Sequence, residues 1–143
     1  ADIYVKSQPN LKKINCPPSL NSNLIDEFLI LFLAAAKANG VSSFSNLGEL
    51  NKKESPRLKL GSKILNLMGI KTILTNDSIK IFGDPNILIK KDIEIKNYYK
   101  DHRIFMMSMI SALTLGGHWK LHDPDSIKSS FPSFLKLINK VKK

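Results

Sequence analysis

The stretch SPRLKLGSKILNLMGIKTILTNDSIKIF, residues 55–82, decides the fold. Ser55-Pro56 predicts a helix start, with serine as N-cap and proline at the first helical position, where a missing N–H costs nothing. Leu58, Leu60, Ile64, Leu65, Leu67 and Met68 give the helix an apolar face, and Gly69 closes it. Residues 70–74 and 79–82 then flank Thr75-Asn76-Asp77-Ser78, which reads as a hairpin turn. Upstream, Ser22 or Asn23 caps a predicted helix through Leu24, Ile25, Phe28, Leu31, Phe32 and Ala35 to Asn39, ended by Gly40. Residues 41–45 read as a strand and 46–54 as a loop. Residues 3–6 read as a strand and 7–23 as a proline-rich loop. Downstream, Ile87, Ile89, Ile93 and Ile95 suggest one or two strands. Asp101 caps a third long helix that ends at Gly116-Gly117. Residues 119–122 form a strand and 131–141 a last helix, whose negative C-terminal end Lys140, Lys142 and Lys143 complement. This order favours an α+β class, with α/β layers: a mixed β-sheet carrying helices on one face, in a single domain over residues 1–143.

Apolar residues make up 43% and charged residues 24% of 143, globular proportions that exclude disorder as the default. The longest apolar run, residues 28–36, is about half of a membrane span. No basic start followed by an apolar run is visible at Ala1-Asp2-Ile3. Cys16 stands alone, so neither an internal disulfide nor a CxxC metal site is available, and a reducing cytoplasm is the expected setting. There is no GxGxxG and no GxxxxGK[ST], which removes the main support for dinucleotide and P-loop readings.

The net charge of +10 admits nucleic acid, an anionic membrane or an anionic substrate. Of 22 basic residues only Arg57 and Arg103 are arginine. Lysine is a hydrated point charge, whereas arginine offers a planar fork for carboxylate or phosphate. In a lysine-rich chain the two arginines are therefore the positions to inspect. Each lies near a predicted helix start beside an acid, in Lys53-Glu54-Ser55-Pro56-Arg57 and Asp101-His102-Arg103. A helix mouth is a natural anion site, although self-paired surface charges and structural salt bridges produce the same pattern. A third cluster, Asp26-Glu27, begins an otherwise apolar helix, where interaction with the helix dipole accounts for about 0.3–1 kcal/mol without any function. His118 and His122 have metal-ligand spacing only on a helix, and Gly117 and Trp119 argue against one there, so they read as structural or exposed. No metal site is expected.

At these residues the sequence resembles the C-terminal part of the 5-enolpyruvylshikimate-3-phosphate synthase family. Leu24-Ile25-Asp26-Glu27-Phe28 with Ala34-Ala35-Ala36 and Gly40 looks like its "IDE-P-x-x-A-x-A-A" helix. Glu49-Leu50, Lys53-Glu54-Ser55 and Arg57 look like "EL-x-x-K-E-S/T-D-R". Asp101-His102-Arg103-Ile104 with Met106 looks like "DHRIAM", and Ser130-Phe131-Pro132-Ser133-Phe134 like "SFP-x-F". The resemblance implies transfer of the enolpyruvyl group of phosphoenolpyruvate to the 5-hydroxyl of shikimate 3-phosphate, releasing phosphate, with no metal or organic cofactor. It also implies roles. Asp26 would hold the shikimate hydroxyls and accept a proton. Glu54 would transfer protons at the phosphoenolpyruvate methylene, and Lys53 would contact shikimate 3-phosphate. Arg57 and Arg103 would grip phosphoenolpyruvate, with His102 beside them. Lys128, one residue out of simple register, is carried over as a further phosphoenolpyruvate contact.

The chain departs from these motifs at Pro56, where the family has an acid that could orient Arg57, at Phe105, where it has alanine, and at Leu29, where it has proline. The family enzyme has two halves of three β-α-β-α-β-β units with ligands in the cleft between them. This chain supplies about two such units, so the N-terminal half is expected as its partner and the chain alone is expected not to turn over. Two rival readings belong to other classes or specificities. One is a UDP-N-acetylglucosamine enolpyruvyl transferase-like fragment, disfavoured by the Lys-Glu-Ser and Asp-His-Arg-Ile motifs. The other is a basic nucleic-acid-binding module, disfavoured because Tyr98 and Tyr99 make a thin stacking platform and no arginine-rich stripe exists. A degenerate copy, suggested by Pro56 and Phe105, is a third.

Overall fold

A computed structural model of the chain describes residues 2, 4, 6–8 and 10–141. The helices are α1 (Asn21–Leu24), α2 (Phe28–Ala36), α3 (Arg57–Leu67), α4 (His102–Leu115) and α5 (Phe134–Val141). The strands are β1 (Gly40–Phe44), β2 (Thr72–Leu74), β3 (Ile79–Gly83), β4 (Ile89–Ile95) and β5 (Gly116–Leu121). Single 3-10 turns lie at Pro18–Leu20, Gly48–Lys52 and Pro124–Ile127.

The deciding stretch folds largely as its pattern dictates. In α3 the apolar spacing buries Leu58, Ile64 and Leu65, and Gly69 leaves the helix at φ +93°, a conformation that favours glycine. The Thr75–Ser78 turn is closed by the Thr75 N–H on the Ser78 carbonyl at 2.9 Å and the Ser78 N–H on Thr75 Oγ1 at 3.0 Å. This aligns β2 and β3 antiparallel, with Thr72 opposite Ile81 and Leu74 opposite Ile79. On its other side β3 pairs antiparallel with β1, from Gly40↔Gly83 to Phe44↔Ile79.

The far edge of β1 is also occupied. Lys12 bridges Asn39 and Asn15 bridges Ser43, both parallel, and the Ser43 N–H reaches the Ile14 carbonyl at 2.9 Å. The first sheet therefore mixes directions, and part of the expected loop 7–23 serves as its outer strand. A second sheet pairs β4 and β5 in parallel, joined by α4. The α+β class holds, with the strands divided between two sheets. Phe28, Phe32, Phe44, Leu58, Leu65, Ile79, Ile81 and Ile104 are at most 2% exposed and form the core. Each such side chain contributes roughly 1.5–3 kcal/mol of transfer free energy.

Three expectations need correction. The helix expected to run from Leu24 to Asn39 is broken: the segment Pro18–Leu24 and α2 meet at 118°. Local propensity favours continuity here, but the corner Ile25-Asp26-Glu27 is held by contacts from distant residues, described below. Ser55 does not cap α3. Pro56 occupies that position without a side-chain cap, because the Ser55 hydroxyl is used elsewhere. The strand expected at residues 119–122 starts earlier: Gly116, at φ +79°, turns α4 directly into β5. The expected strand 3–6 and the roles of Lys142 and Lys143 fall wholly or partly outside the described residues. Among the described residues no single helix is long and apolar enough to cross a membrane.

Across the second sheet, Glu94 receives His122 Nε2 at 2.8 Å, Lys96 Nζ at 3.3 Å and Lys120 Nζ at 3.5 Å. The His122 hydrogen bond, then Lys96, lowers the Glu94 carboxyl to about 2. Such a carboxylate stabilises the fold above its ordinary value of 4.5 and loses that contribution as pH falls through about 2. Carbon-13 NMR is expected to find the Glu94 midpoint near 2, moving up toward 4.5 in His122→Ala. An unmoved midpoint would show that His122 is not the cause.

Candidate functional site

Two helix mouths face one chain corner. Asp101 is the N-cap of α4: it has extended backbone, and its Oδ1 accepts the Arg103 N–H at 2.9 Å. The same carboxylate reaches across 44 residues to the start of α3, where its Oδ2 accepts Arg57 Nε at 2.9 Å. Ser55 Oγ donates to that oxygen at 2.7 Å, which is why serine is not available to cap α3. One buried acid, 1% exposed, thus ties the two helix starts together.

Arg57, though charged, is only 2% exposed. Besides Asp101 it donates through Nη1 to Asp26 Oδ1 at 3.0 Å and through Nη2 to Glu54 Oε2. Four of these contacts engage its guanidinium, counting a longer 3.4 Å approach to Asp101 Oδ1. Burial opposes the charge, but hydrogen bonds and the fields of Asp101, Glu54 and Asp26 raise its pKa above the usual arginine value. Burial would likewise raise Asp101, yet hydrogen bonds from Arg57 and Ser55 and the guanidinium charge hold it below the usual carboxylate range.

Arg103, the second residue of α4, holds the corner between α1 and α2. Its Nη1 donates to the Asp26 carbonyl and to Glu27 Oε1, both at 2.8 Å, and Nη2 lies 3.7 Å from Asp26 Oδ2. Lys53 Nζ approaches Asp26 Oδ1 at 3.9 Å. Asp26, Glu54 and Glu27 are 46%, 58% and 54% exposed, so the cluster is buried at Arg57 and Asp101 and open at the carboxylates. Adjoining it, a cavity of about 180 Å³ is lined by Asp26, Glu27 and Arg103 and by apolar side chains including Leu29, Met106 and Phe134.

The geometry gathers Asp26, Lys53, Glu54, Arg57 and Arg103 around one corner. His102 is the first residue of α4, half-buried, with no side-chain hydrogen bond among the described residues. Lys128 follows the Pro124–Ile127 turn and pairs with Asp125 at 2.8 Å. None of its ion pairs among the described residues joins it to the cluster. Phe105 is 2% exposed and belongs to the core, so its bulk does not enter the corner. Sequence reasoning placed Asp101 only as a cap and missed its hold on Arg57. The acid lost at Pro56 is replaced in that task by Asp101, Asp26 and Glu54. The available signal was that two arginines, both at helix starts, had only four nearby acids to serve them.

Three cations, Lys53, Arg57 and Arg103, here meet four carboxylates, Asp26, Glu27, Glu54 and Asp101. The corner therefore can orient donors and handle protons, but it does not by itself supply the positive excess that a phosphorylated acid needs.

The family model for EPSP synthase (3-phosphoshikimate 1-carboxyvinyltransferase) matches residues 2–138. The 3-phosphoshikimate 1-carboxyvinyltransferase of Ruthia magnifica subsp. Calyptogena magnifica is 37% identical over 141 residues, covering 99% of this chain and 32% of its own length. That of Thermodesulfovibrio yellowstonii is 35% identical over 142 residues, with the same coverage. The EPSP synthase of Acinetobacter baumannii superposes with a TM-score of 0.81 at 34% identity, over 92% of this chain and 30% of that one. The chain thus spans about a third of the length of the relatives it matches. With nearly every described residue inside the matched region, the chain belongs to the EPSP synthase family.

Proposed function

We propose that this chain is part of an enzyme that transfers the enolpyruvyl group of phosphoenolpyruvate to the 5-hydroxyl of shikimate 3-phosphate, a step of aromatic amino acid biosynthesis in the cytoplasm, and that it supplies one wall of the site. The observation that carries this reading is the convergence of Asp26, Glu54, Arg57 and Arg103, up to 77 positions apart, on one corner. The relatives named above all bear the shikimate name, which favours this reading over the UDP-N-acetylglucosamine one. The burial of Arg57 also removes one of two arginines from any nucleic-acid surface.

In this reading the 5-oxygen of shikimate 3-phosphate bonds to C2 of phosphoenolpyruvate while C3 gains a proton. C3 then loses a proton as the C2–O bond to phosphate breaks. Asp26 orients the shikimate hydroxyls and accepts the 5-hydroxyl proton, which leaves with the departing phosphate. Glu54 gives and recovers the C3 proton, its exposed carboxylate being free to swing from Arg57. Lys53 contacts shikimate 3-phosphate. Arg103 grips phosphoenolpyruvate with His102 beside it and Lys128 approaching from its turn. Arg57, sunk beneath the carboxylates, presents its Nη face once Glu54 moves. No metal or organic cofactor takes part. The remaining cations and walls come from the rest of the enzyme, above all its N-terminal half.

Half a site forfeits the positioning term, which reaches several kcal/mol. The pure chain is therefore expected to release no phosphate from the two substrates above background. A chimera in which this chain replaces the matched third of the Ruthia magnifica relative is expected to turn over. Release by the pure chain would refute the half-site claim, and a folded but inert chimera would refute the assigned activity.

A further inference from the structure

Immediately before α4 the chain turns through four residues in a conformation that their side chains do not favour. The Asp101 N–H donates to the Tyr98 carbonyl at 3.1 Å, and the two residues between, Tyr99 and Lys100, lie at φ +60° and +54°. That is the φ pattern of a type I′ turn, whose central positions favour Asn and Gly because other L residues are strained there. Tyr99 and Lys100 are both exposed, and among the described residues neither side chain makes a hydrogen bond that would offset the strain. Strained residues persist where their surroundings hold them, and they cluster at functional sites.

Only the two ends of this turn are buried, Asp101 at 1% and Tyr98 at 2% exposed. Asp101 holds Arg57 and caps α4. Tyr98 is fixed from a different direction. Its hydroxyl donates to the His122 carbonyl, with the Asp123 carbonyl at 3.2 Å and Ser126 Oγ at 3.5 Å beside it. These partners lead into the Pro124–Ile127 turn, which packs against α4. Burial, above all, raises the hydroxyl's pKa beyond the usual tyrosine value, so it keeps its proton and donates throughout the neutral range.

We propose that Tyr98 is a positioning residue for the corner: its hydroxyl anchors the strained turn, the turn sets the backbone of Asp101, and Asp101 thereby holds Arg57 and the start of α4. Tyr98 acts only through the turn, since its hydroxyl reaches the segment after β5 and not the arginines. The substitution Tyr98→Phe keeps the ring and removes only this anchor.

The Arg57 Nε–H proton, which lies on Asp101 Oδ2 at 2.9 Å, reports the far end of the relay by nitrogen-15 NMR without substrate. In Tyr98→Phe its exchange is expected to quicken about three- to tenfold, the effect of one lost hydrogen bond. The Phe82 amide, bonded to the Lys71 carbonyl at 3.0 Å in the hairpin unit, should hardly change. Adding Lys100→Gly puts a residue that takes positive φ freely into the turn, and should return the Arg57 proton toward its parent rate. Unchanged Arg57 exchange in folded Tyr98→Phe, equal quickening of the Phe82 amide, or no recovery with Lys100→Gly overturns the proposal. Should the variant chain not fold, the same protons are read in the chimera. The consequence for turnover rests on the reaction proposed above: in the chimera Tyr98→Phe should raise KM for phosphoenolpyruvate about three- to tenfold, and Lys100→Gly should reverse the rise. A parental KM alongside a quickened Arg57 proton would leave the relay standing and count against the use of Arg57 in that reaction.

Discussion

Replacing Asp101 with alanine is expected to lower the unfolding free energy by about 3–5 kcal/mol. The carboxylate is 1% exposed and serves three donors: Arg57 Nε, the Ser55 hydroxyl and the Arg103 N–H. Its loss leaves the Arg57 charge, 2% exposed, with only the half-exposed Asp26 and Glu54 for partners. Arginine cannot shed its proton to escape, and Arg57 is held even above the usual arginine value. At about 3 °C per kcal/mol, the midpoint should fall by roughly 10 °C or more. The pH dependence has a definite sign. Asp101 is depressed below its ordinary 3.8, so its contribution is present above that pH and lost as pH falls through the lower folded value. A double-mutant cycle separates the pair from mere packing. With Asp101→Leu and Arg57→Met together, no orphaned charge remains, and the double variant should lose at least about 2 kcal/mol less than the sum of the singles. Urea midpoints at constant slope measure this. Additive losses would show that the two residues act independently.

Arg103→Gln should behave in the opposite way, harming function far more than stability. Its side chain is 26% exposed and its partners Asp26 and Glu27 are open to water, so about 1 kcal/mol or less of stability is expected to go. If Arg103 grips the anion as proposed, the substitution removes from a working chimera a charge-assisted contact worth about 1.5–3 kcal/mol, which is roughly a 10- to 100-fold fall in kcat/KM. The fall should lie mainly in KM for phosphoenolpyruvate, with KM for shikimate 3-phosphate little changed. A fall confined to kcat would assign Arg103 to the chemical steps instead.

What could be seen in the sequence and what could not follow from range. Gly69, the Thr75–Ser78 turn and the Asp101 cap are local devices, and each sits where residue type places it. The break at Ile25-Asp26-Glu27 is not local. It depends on Arg103 holding the Asp26 carbonyl from 77 positions away, while the apolar run around it reads as one helix. Ser55 was misplaced for the same reason: its hydroxyl is drawn 46 residues along the chain to Asp101. The outer strand at residues 11–16 was not legible because its partners lie far along the chain: backbone groups of Asn39 and Ser43, and the Ser42 and Ser43 hydroxyls 28 positions away. The corner residues drew attention in the sequence because arginine is scarce in this chain; that Arg57 would be the buried hub and Arg103 the more accessible fork was not legible, since burial belongs to the packed whole.

The corner stands or falls as an anion-binding wall on phosphoenolpyruvate affinity itself. Equilibrium binding of phosphoenolpyruvate to the chimera, loaded with shikimate 3-phosphate, should weaken at least about tenfold on Arg103→Gln while the fold is retained. Equal affinity in the two folded proteins would contradict the placement of phosphoenolpyruvate at this corner.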